Sequence, residues 1–595
     1  MKKLFSTVLI LTAVLTTLFA DDGGSLRVED WTYGNIYVKE PNDKIALENE
    51  ILYFKNNSAR VIFDFKNTSD SVVKVPCSFP VVIKVPFKTF QGKARPTYSQ
   101  WTDILDSGIW EIALNKYISD DGGESWRNKL NIEELKAKDK TLRVEKYEDY
   151  LKQLDSYRIY GSTTDENGKY ISDRRNGDHL KKYYSGCDIK QDGKKIQILN
   201  VGIEVNVEIN PASEIESKFV NSADDEFSYL TLVLHFYHEL EFMPLKHSKL
   251  EVSYAVASLS SSYHSLIYEG FYDISTGGTW KGSMKKFLVA SPMSLEIKNG
   301  KTKPEKFHDI LNFYLFETYK PESEEYFIFR QKLEEDGEPD RFLESRDFPK
   351  QNFVSNIQSH TSLKGTYRHY DYDKRQNDDE NEPAIKISGY GPETCFDSDP
   401  YNGWVEGQPG DGINDWIGFT LEKKVFGPFA INGLTKFHTN SYYNEFDYIS
   451  QFAGKGRKPT DTWLENNRIK SMNLVGPNGK TTKLKFRDLY AGFRLSTTDL
   501  YRNKFNAIEN PVILDAGTYK MEIAEVYKGT KYDDTVLGEI WFYEISGRLL
   551  ELYDSEEKNK NSIFPEEITD LLRDCLVDFS YAEYFMNYRF NCKDD

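Results

Sequence analysis

Several groups of side chains in this sequence could do chemistry, and each implies a different kind. Asp397, Asp399 and Asn402 lie within six residues. Closely spaced carboxylates and amides supply the hard oxygens that calcium takes as ligands, so this loop is a candidate for a structural calcium ion. The plainer alternative is that Asp397 bonds its own backbone in a turn while Asp399 precedes Pro400 in an ordinary loop. Asn440, Tyr442, Tyr443, Trp463, Asn467 and Arg468 form a second group. Sugars have apolar faces and hydroxyl rims, which a stacking aromatic and planar hydrogen-bonding groups can recognise together. Arg468 could offer its fork of donors to adjacent hydroxyls or to a carboxylated sugar, or pair with Asp488 or Asp533 as part of the framework.

Asp533, Asp534 and Thr535 with Glu539 make the most tempting catalytic cluster, because glycoside cleavage uses two carboxylates at a defined separation. With 94 acidic residues in the chain, however, such pairs are expected everywhere, and no catalytic residue is assigned. His235 and His238 spell HxxH on a segment with strand periodicity, where an odd spacing sends side chains to opposite faces. No GxSxG, HExxH or phosphate-binding loop occurs, and no motif requires a cofactor. The chain is therefore expected to bind rather than to catalyse.

Composition limits the partners. A net charge of −18 with no long basic run excludes electrostatic capture of nucleic acid. Residues 1–20 have the regions of a secretory signal peptide: Lys2 and Lys3, an apolar run from Leu4 to Phe19, then Ala20 before Asp21 and Asp22. The bulky Leu18 leaves an uncleaved N-terminal anchor as the alternative. No later segment has the roughly twenty apolar residues that span a bilayer, so no transmembrane span is expected after cleavage. Export to a periplasm, cell surface or medium follows. Five cysteines permit a Cys575–Cys592 bridge and a Cys77–Cys187 bridge, with Cys395 buried and free.

The elements that must hold these groups are mainly strands. Aromatic residues are 14% of the chain, and their bulk suits a pleated surface. Val61, Phe63 and Phe65, then Val81, Ile83 and Val85, alternate with more polar neighbours. So do Ile203, Val205, Val207 and Ile209, then Leu230 to Phe236 and Leu250 to Val256. These predict an antiparallel β module over 22–369. Between about 100 and 195 the pattern breaks: Leu135, Leu142, Val144, Tyr147, Leu151 and Leu154 recur at mostly helical spacing and predict a charged helical insertion. Residues 370–384, nearly without aliphatics, read as a linker between modules. A second sandwich is expected over 385–548, with Trp404 and Trp416 in its core. A tail over 549–595 follows, with a charged separator at 554–562 and a helix around 566–576.

The segment 389–421, GYGPETCFDSDPYNGWVEGQPGDGINDWIGFTL, carries a resemblance. With Asp397, Ser398, Asp399, Pro400, Asn402 and Trp404 in register, it resembles the first core loop of the discoidin, or coagulation factor type C, fold. It is similar in particular to a bacterial branch called the NADase-type glycan-binding domain. The matching blocks are WVEG at 404–407, GINDWI at 412–417, NNRIK at 466–470 and VYKGTKYDDTVLGEI at 526–540. The branch is named for an enzyme that carries such a domain; the name does not make this module an NADase. The resemblance implies a jelly-roll sandwich, glycan as the ligand, loops at one end as the site, and Glu539 approaching the Asp397 loop to share the calcium. Asp415, Asn402 and Ser398 depart from the usual Glu, Thr and Gly, and the excursion 438–465 is longer than the family's connection. The stretches FKNTSDSVVKVPCSFPV (65–81) and YDISTGGTWKG (272–282) resemble, more faintly, a family of uncharacterised exported bacterial β-domains, which implies architecture and no activity. The reading is an exported lectin-like protein binding glycan through its C-terminal sandwich. An envelope scaffold that binds proteins, or an enzyme whose catalytic centre lies in the N-terminal module, are the alternatives.

Overall fold

The structure is a computed structural model, and it describes residues 31–33, 37–38, 43–55, 58–90, 93–96, 133, 136–137, 141–156, 159–164, 170–175, 184–209, 228–255, 259–262, 265–322, 325–332, 351–370, 385–398, 402–434, 461–488, 506–560 and 562–576. The chain divides into two units, 1–338 and 339–595. Both are built mainly of strands, as the alternating patterns require. Among the described residues, no helix is long and apolar enough to cross a membrane.

In the N-terminal unit the strands that alternate in sequence form the interior. Val61, Phe63 and Phe65 on the strand Ser58–Asn67 and Leu232, Leu234 and Phe236 on Ser228–Phe242 are each at most 1% exposed. They belong to an eight-stranded and a seven-stranded sheet. These sheets meet through aromatic contacts: Phe65 lies edge-on to Phe242 at 5.5 Å, and Phe79 packs on Tyr254 at 4.8 Å. A four-stranded sheet joins them where Phe329 stacks on Phe54 at 4.0 Å. Aromatic pairs of this kind add about 0.5–1.5 kcal/mol each beyond the area they bury.

Four expectations need correction here. The charged insertion is not wholly helical. Tyr147–Ser156 is a helix, with Tyr150 and Leu154 buried, but Thr141–Lys146 is a strand paired with Asn200–Glu208. Leu142 and Val144 have the period-two spacing of that edge strand and stand exposed on it, which is how a mixed period passed for a helical one. The Cys77–Cys187 bridge does not form, and both thiols are free. Burial pushes the Cys77 thiol up to about 12, so it behaves as a small apolar side chain. The unit boundary also lies before 370: the strand Val354–Ser359 pairs with Trp416–Leu421, and Phe353 sits in the second core. Finally, residues 370–384 do not join modules. Tyr367–Tyr370 pairs antiparallel with Ile385–Ser388, so the charged stretch lies between two strands of one pair. His235 and His238 do face opposite ways, His238 being 2% exposed.

The C-terminal unit is a β-sandwich whose main strand path runs Val354–Ser359, Trp416–Leu421, Gly517–Tyr527, Asn467–Val475, Thr535–Tyr543, Val425–Asn432 and Val512–Leu514. Ile417, Phe419 and Leu421 point inward onto Ile469, Met472, Met521 and Ile540. Two helices, Gly547–Glu557 and Phe564–Leu576, follow, so the first runs into the expected charged separator. Lys424 ties the first helix to the sandwich, lying 2.6 Å from Asp554 and 3.0 Å from Asp515. Cys395 is buried and free. Cys592, and with it the predicted tail bridge, lies outside the described residues.

Candidate functional site

Three of the four blocks singled out in the C-terminal sequence, those at 404–407, 466–470 and 526–540, meet in one hydrogen-bonded belt with Asp411, which immediately precedes the block at 412–417. The Thr535 amide donates to Glu406 Oε1 and the Glu406 amide to the Thr535 carbonyl, both at 3.2 Å. Asn467 Nδ2 donates to the Asp533 carbonyl at 2.7 Å and to Asp411 Oδ1 at 3.2 Å, while Asn467 Oδ1 accepts from the Gly529 amide at 2.8 Å. The Thr535 hydroxyl donates to the Asp411 carbonyl at 2.7 Å. Buried polar groups must find partners, and these find them in one another. Much of the signature therefore encodes framework.

This corrects the predicted sugar site. Trp463 is 4% exposed, and its indole N–H donates to the Asn432 carbonyl at 2.8 Å. Its ring lies so close to Gly433 that a Cβ there would stand 2.8 Å from the indole. The Arg468 guanidinium takes the framework alternative: it grips Asp488 with Nε at 2.7 Å and Nη2 at 3.1 Å, and Nη1 donates to the carbonyls of Trp463 and Asn466. Asn467 is 1% exposed. A platform for a ring must offer a face to solvent, and these three side chains offer none. Asn440, Tyr442 and Tyr443 lie outside the described residues.

The loop predicted to hold calcium is described in part, and within it Glu539 stands next to the Asp397 segment. Asn402 Nδ2 donates to Asp397 Oδ2 at 2.7 Å, and Glu539 Oε1 accepts the Ser398 amide at 3.1 Å, which brings Glu539 to the loop. Asn402 is fully buried, and its Oδ1 has no hydrogen-bond partner among the described residues. A buried amide oxygen left in that state is costly. Asp397, Asn402 and Glu539 carry oxygens of the kind a hard cation takes as ligands. Asp399 lies outside the described residues.

Asp533 and Asp534 act in the belt through their main-chain carbonyls, which accept from Asn467. Burial, then the neighbouring Asp533, raises the Asp534 carboxyl. Glu406 is the more perturbed acid: burial pushes it up to about 7, against the pull of hydrogen bonds from the Gln408 and Thr535 amides. Asp415, also fully buried, accepts from the Trp416 amide at 2.8 Å and from the Thr361 hydroxyl, and its Oδ1 lies 3.2 Å from His360 Nδ1.

Beside Asp415 is a surface that the sequence did not predict, since Trp416 was expected in the core. Trp416 begins the strand Trp416–Leu421 on the face opposite the buried Ile417 and Phe419, and it is only half-buried. The His360 ring lies nearly parallel to it, 14° off with centroids 6.1 Å apart, and the His360 side chain is 52% exposed. Gln408 Nε2 lies 2.7 Å from His360 Nδ1, and Lys520 Nζ stands 5.3 Å from the centre of the Trp416 ring. The signal was present: inward Ile417, Phe419 and Leu421 force Trp416 outward by the period of two.

Residues 369–543 match the family described as the NAD glycohydrolase translocation F5/8 type C domain, so the C-terminal half carries a discoidin-like β-sandwich module. None of the curated proteins matches the chain. Among solved structures, a provisionally assigned nutrient binding protein from Legionella pneumophila is 11% identical over 50% of this chain and 71% of that one, with a TM-score of 0.23, too low to bear on fold or function.

Proposed function

We propose that the protein is an exported, non-catalytic, lectin-like protein that binds glycan reversibly through its C-terminal sandwich. The observation that carries this reading is the partly exposed Trp416 side chain beside His360, Gln408 and Lys520. A partly exposed indole suits the apolar side of a pyranose, and the amide, imidazole and ammonium packed with it suit the hydroxyl rim. The F5/8 type C module supplies the scaffold. Asp397, Asn402 and Glu539 would hold a calcium ion that stiffens the neighbouring loop, a structural service and no step in chemistry. The apolar run of residues 4–19 supports export.

A glycan array probed with the full chain, with and without a calcium chelator, tests this. Wild type should retain a defined sugar, and Trp416→Ala should weaken that binding by about tenfold or more, a loss of about 1.4 kcal/mol. Folded wild-type protein that retains no sugar, or undiminished binding by folded Trp416→Ala, overturns the reading.

A further inference from the structure

The N-terminal unit holds a cluster of ligating side chains that the glycan reading does not use. The strands Ile45–Lys55 and Ser58–Asn67 pair in register except at one point: Leu47 faces Phe65 and Asn49 faces Asp64, so Glu48 is an extra, bulged residue. A bulge bends its strand and re-aims the side chains beside it. On the other side, Ser58–Asn67 pairs with His247–Ala255, with Asp64 opposite Lys249 and Lys66 opposite His247. Asp64 and His247 are thus diagonal neighbours on one face of the sheet, within reach of each other.

The distances fit coordination. His247 Nδ1 lies 3.0 Å from Asp64 Oδ1. With a carboxylate oxygen of Glu48, the three ligand atoms all fall within 4.8 Å of one another. Ligands bonded to a tetrahedral zinc at about 2.0–2.1 Å stand about 3.3 Å apart, so a small closure would suffice. Asp64 is only 3% exposed, yet among the described residues the partners of its carboxylate are the Asn49 amide, 2.8 Å from Oδ2, and His247. Neither is a permanent cation. A buried carboxylate is normally paired with a charge or coordinates a metal, and Asn49 is placed to orient this one, as an outer partner orients a ligating carboxylate.

We propose that Glu48, Asp64 and His247 form a mononuclear site for a divalent first-row transition ion, zinc in the first instance, with its remaining positions open to water. One imidazole and two carboxylates match that class, whereas calcium takes oxygen alone. Lys285 Nζ, 2.7 Å from Glu48 Oε2, is the competitor; its side chain is 66% exposed and the pair is weak enough to yield. The bound ion would tie three neighbouring strands across the bulge.

The test is a zinc titration of the full chain, stripped with chelator and held in excess calcium so that all-oxygen sites are filled. Wild type should take up one equivalent that both His247→Ala and Glu48→Gln weaken by about tenfold or more, while His360→Ala leaves it unchanged. Both variants alter side chains at the edge of the cluster and spare the buried Asp64. Zinc should also slow amide exchange in Ile45–Lys55 and His247–Ala255 of wild type and not of His247→Ala. No stoichiometric zinc in wild type, or affinity untouched by either variant, overturns the proposal.

Discussion

The Arg468 guanidinium lies over the Trp463 ring, 4.1 Å from its centroid, and is gripped from the side by both oxygens of Asp488. Stacking and bidentate pairing both use the planar fork, which lysine lacks. Arg468→Ala leaves Asp488 and two main-chain carbonyls without their donor, and removing one partner of a buried pair costs about 3–5 kcal/mol. As the Asp488 side chain is 36% exposed, the loss belongs at the low end. Denaturant unfolding of the full chain should show the C-terminal transition moved down, with Arg468→Lys only partly restoring it. Sugar binding by the fraction that remains folded should be unchanged, which separates framework from ligand contact.

Gly412 has a φ of +66°, and a Cβ on it would stand 2.5 Å from Glu406 Cγ and Cδ. Substitution thus meets both left-handed strain and a buried carboxylate with nowhere to move. Gly412→Ala should destabilise the C-terminal unit by about 2–4 kcal/mol. Gly410→Ala, also at positive φ but with open space around its Cβ, should cost about 1 kcal/mol. Thermal unfolding of the two variants side by side checks the order.

Glu406 should make the same unit less stable as the solution becomes less acid. Its folded-state carboxyl sits near 7 against an ordinary 4.5. Between those values the folded state keeps a proton that the unfolded state has released, so stability falls as pH rises from about 4.5 to 7 and then levels. The full effect is on the order of 3 kcal/mol. Amide exchange in Thr535–Tyr543, measured across that window, should speed up with pH beyond its intrinsic trend in wild type, and should lose that excess in Glu406→Gln.

The strands were legible because their chemistry is local. Phe63 and Phe65, or Ile417 and Phe419, alternate with outward residues, and a period of two leaves no other arrangement that buries them. The order of the four C-terminal blocks was likewise enough to identify the discoidin-like module. What a residue does within it was not legible. Arg468 and Trp463 have side chains that suit sugar, but whether they face solvent depends on Gly433 and Asp488, at a distance in sequence. The strand carrying Leu142 and Val144 was hidden because its partner, Asn200–Glu208, lies far along the chain. The 370–384 stretch looked like a linker because composition does not show that its flanks pair with each other.

His238 gives the N-terminal unit the opposite dependence on pH. It is 2% exposed, with Nδ1 3.1 Å from the Phe236 carbonyl, and burial holds it down to about 4 from an ordinary 6.5. In that window the unfolded chain binds a proton that the folded chain refuses. Stability from this group is therefore complete above about 6.5 and is lost as pH falls toward 4, by an amount on the order of 3 kcal/mol. His238→Asn keeps an N–H for the Phe236 carbonyl and removes the titration. The variant lowers stability at neutral pH by changing a packed site, but its acid slope should be flatter than that of wild type. Amide exchange in Ser228–Phe242, followed from pH 7 to pH 4, reads this difference directly; parallel slopes in the two proteins would show that His238 is not the group that titrates.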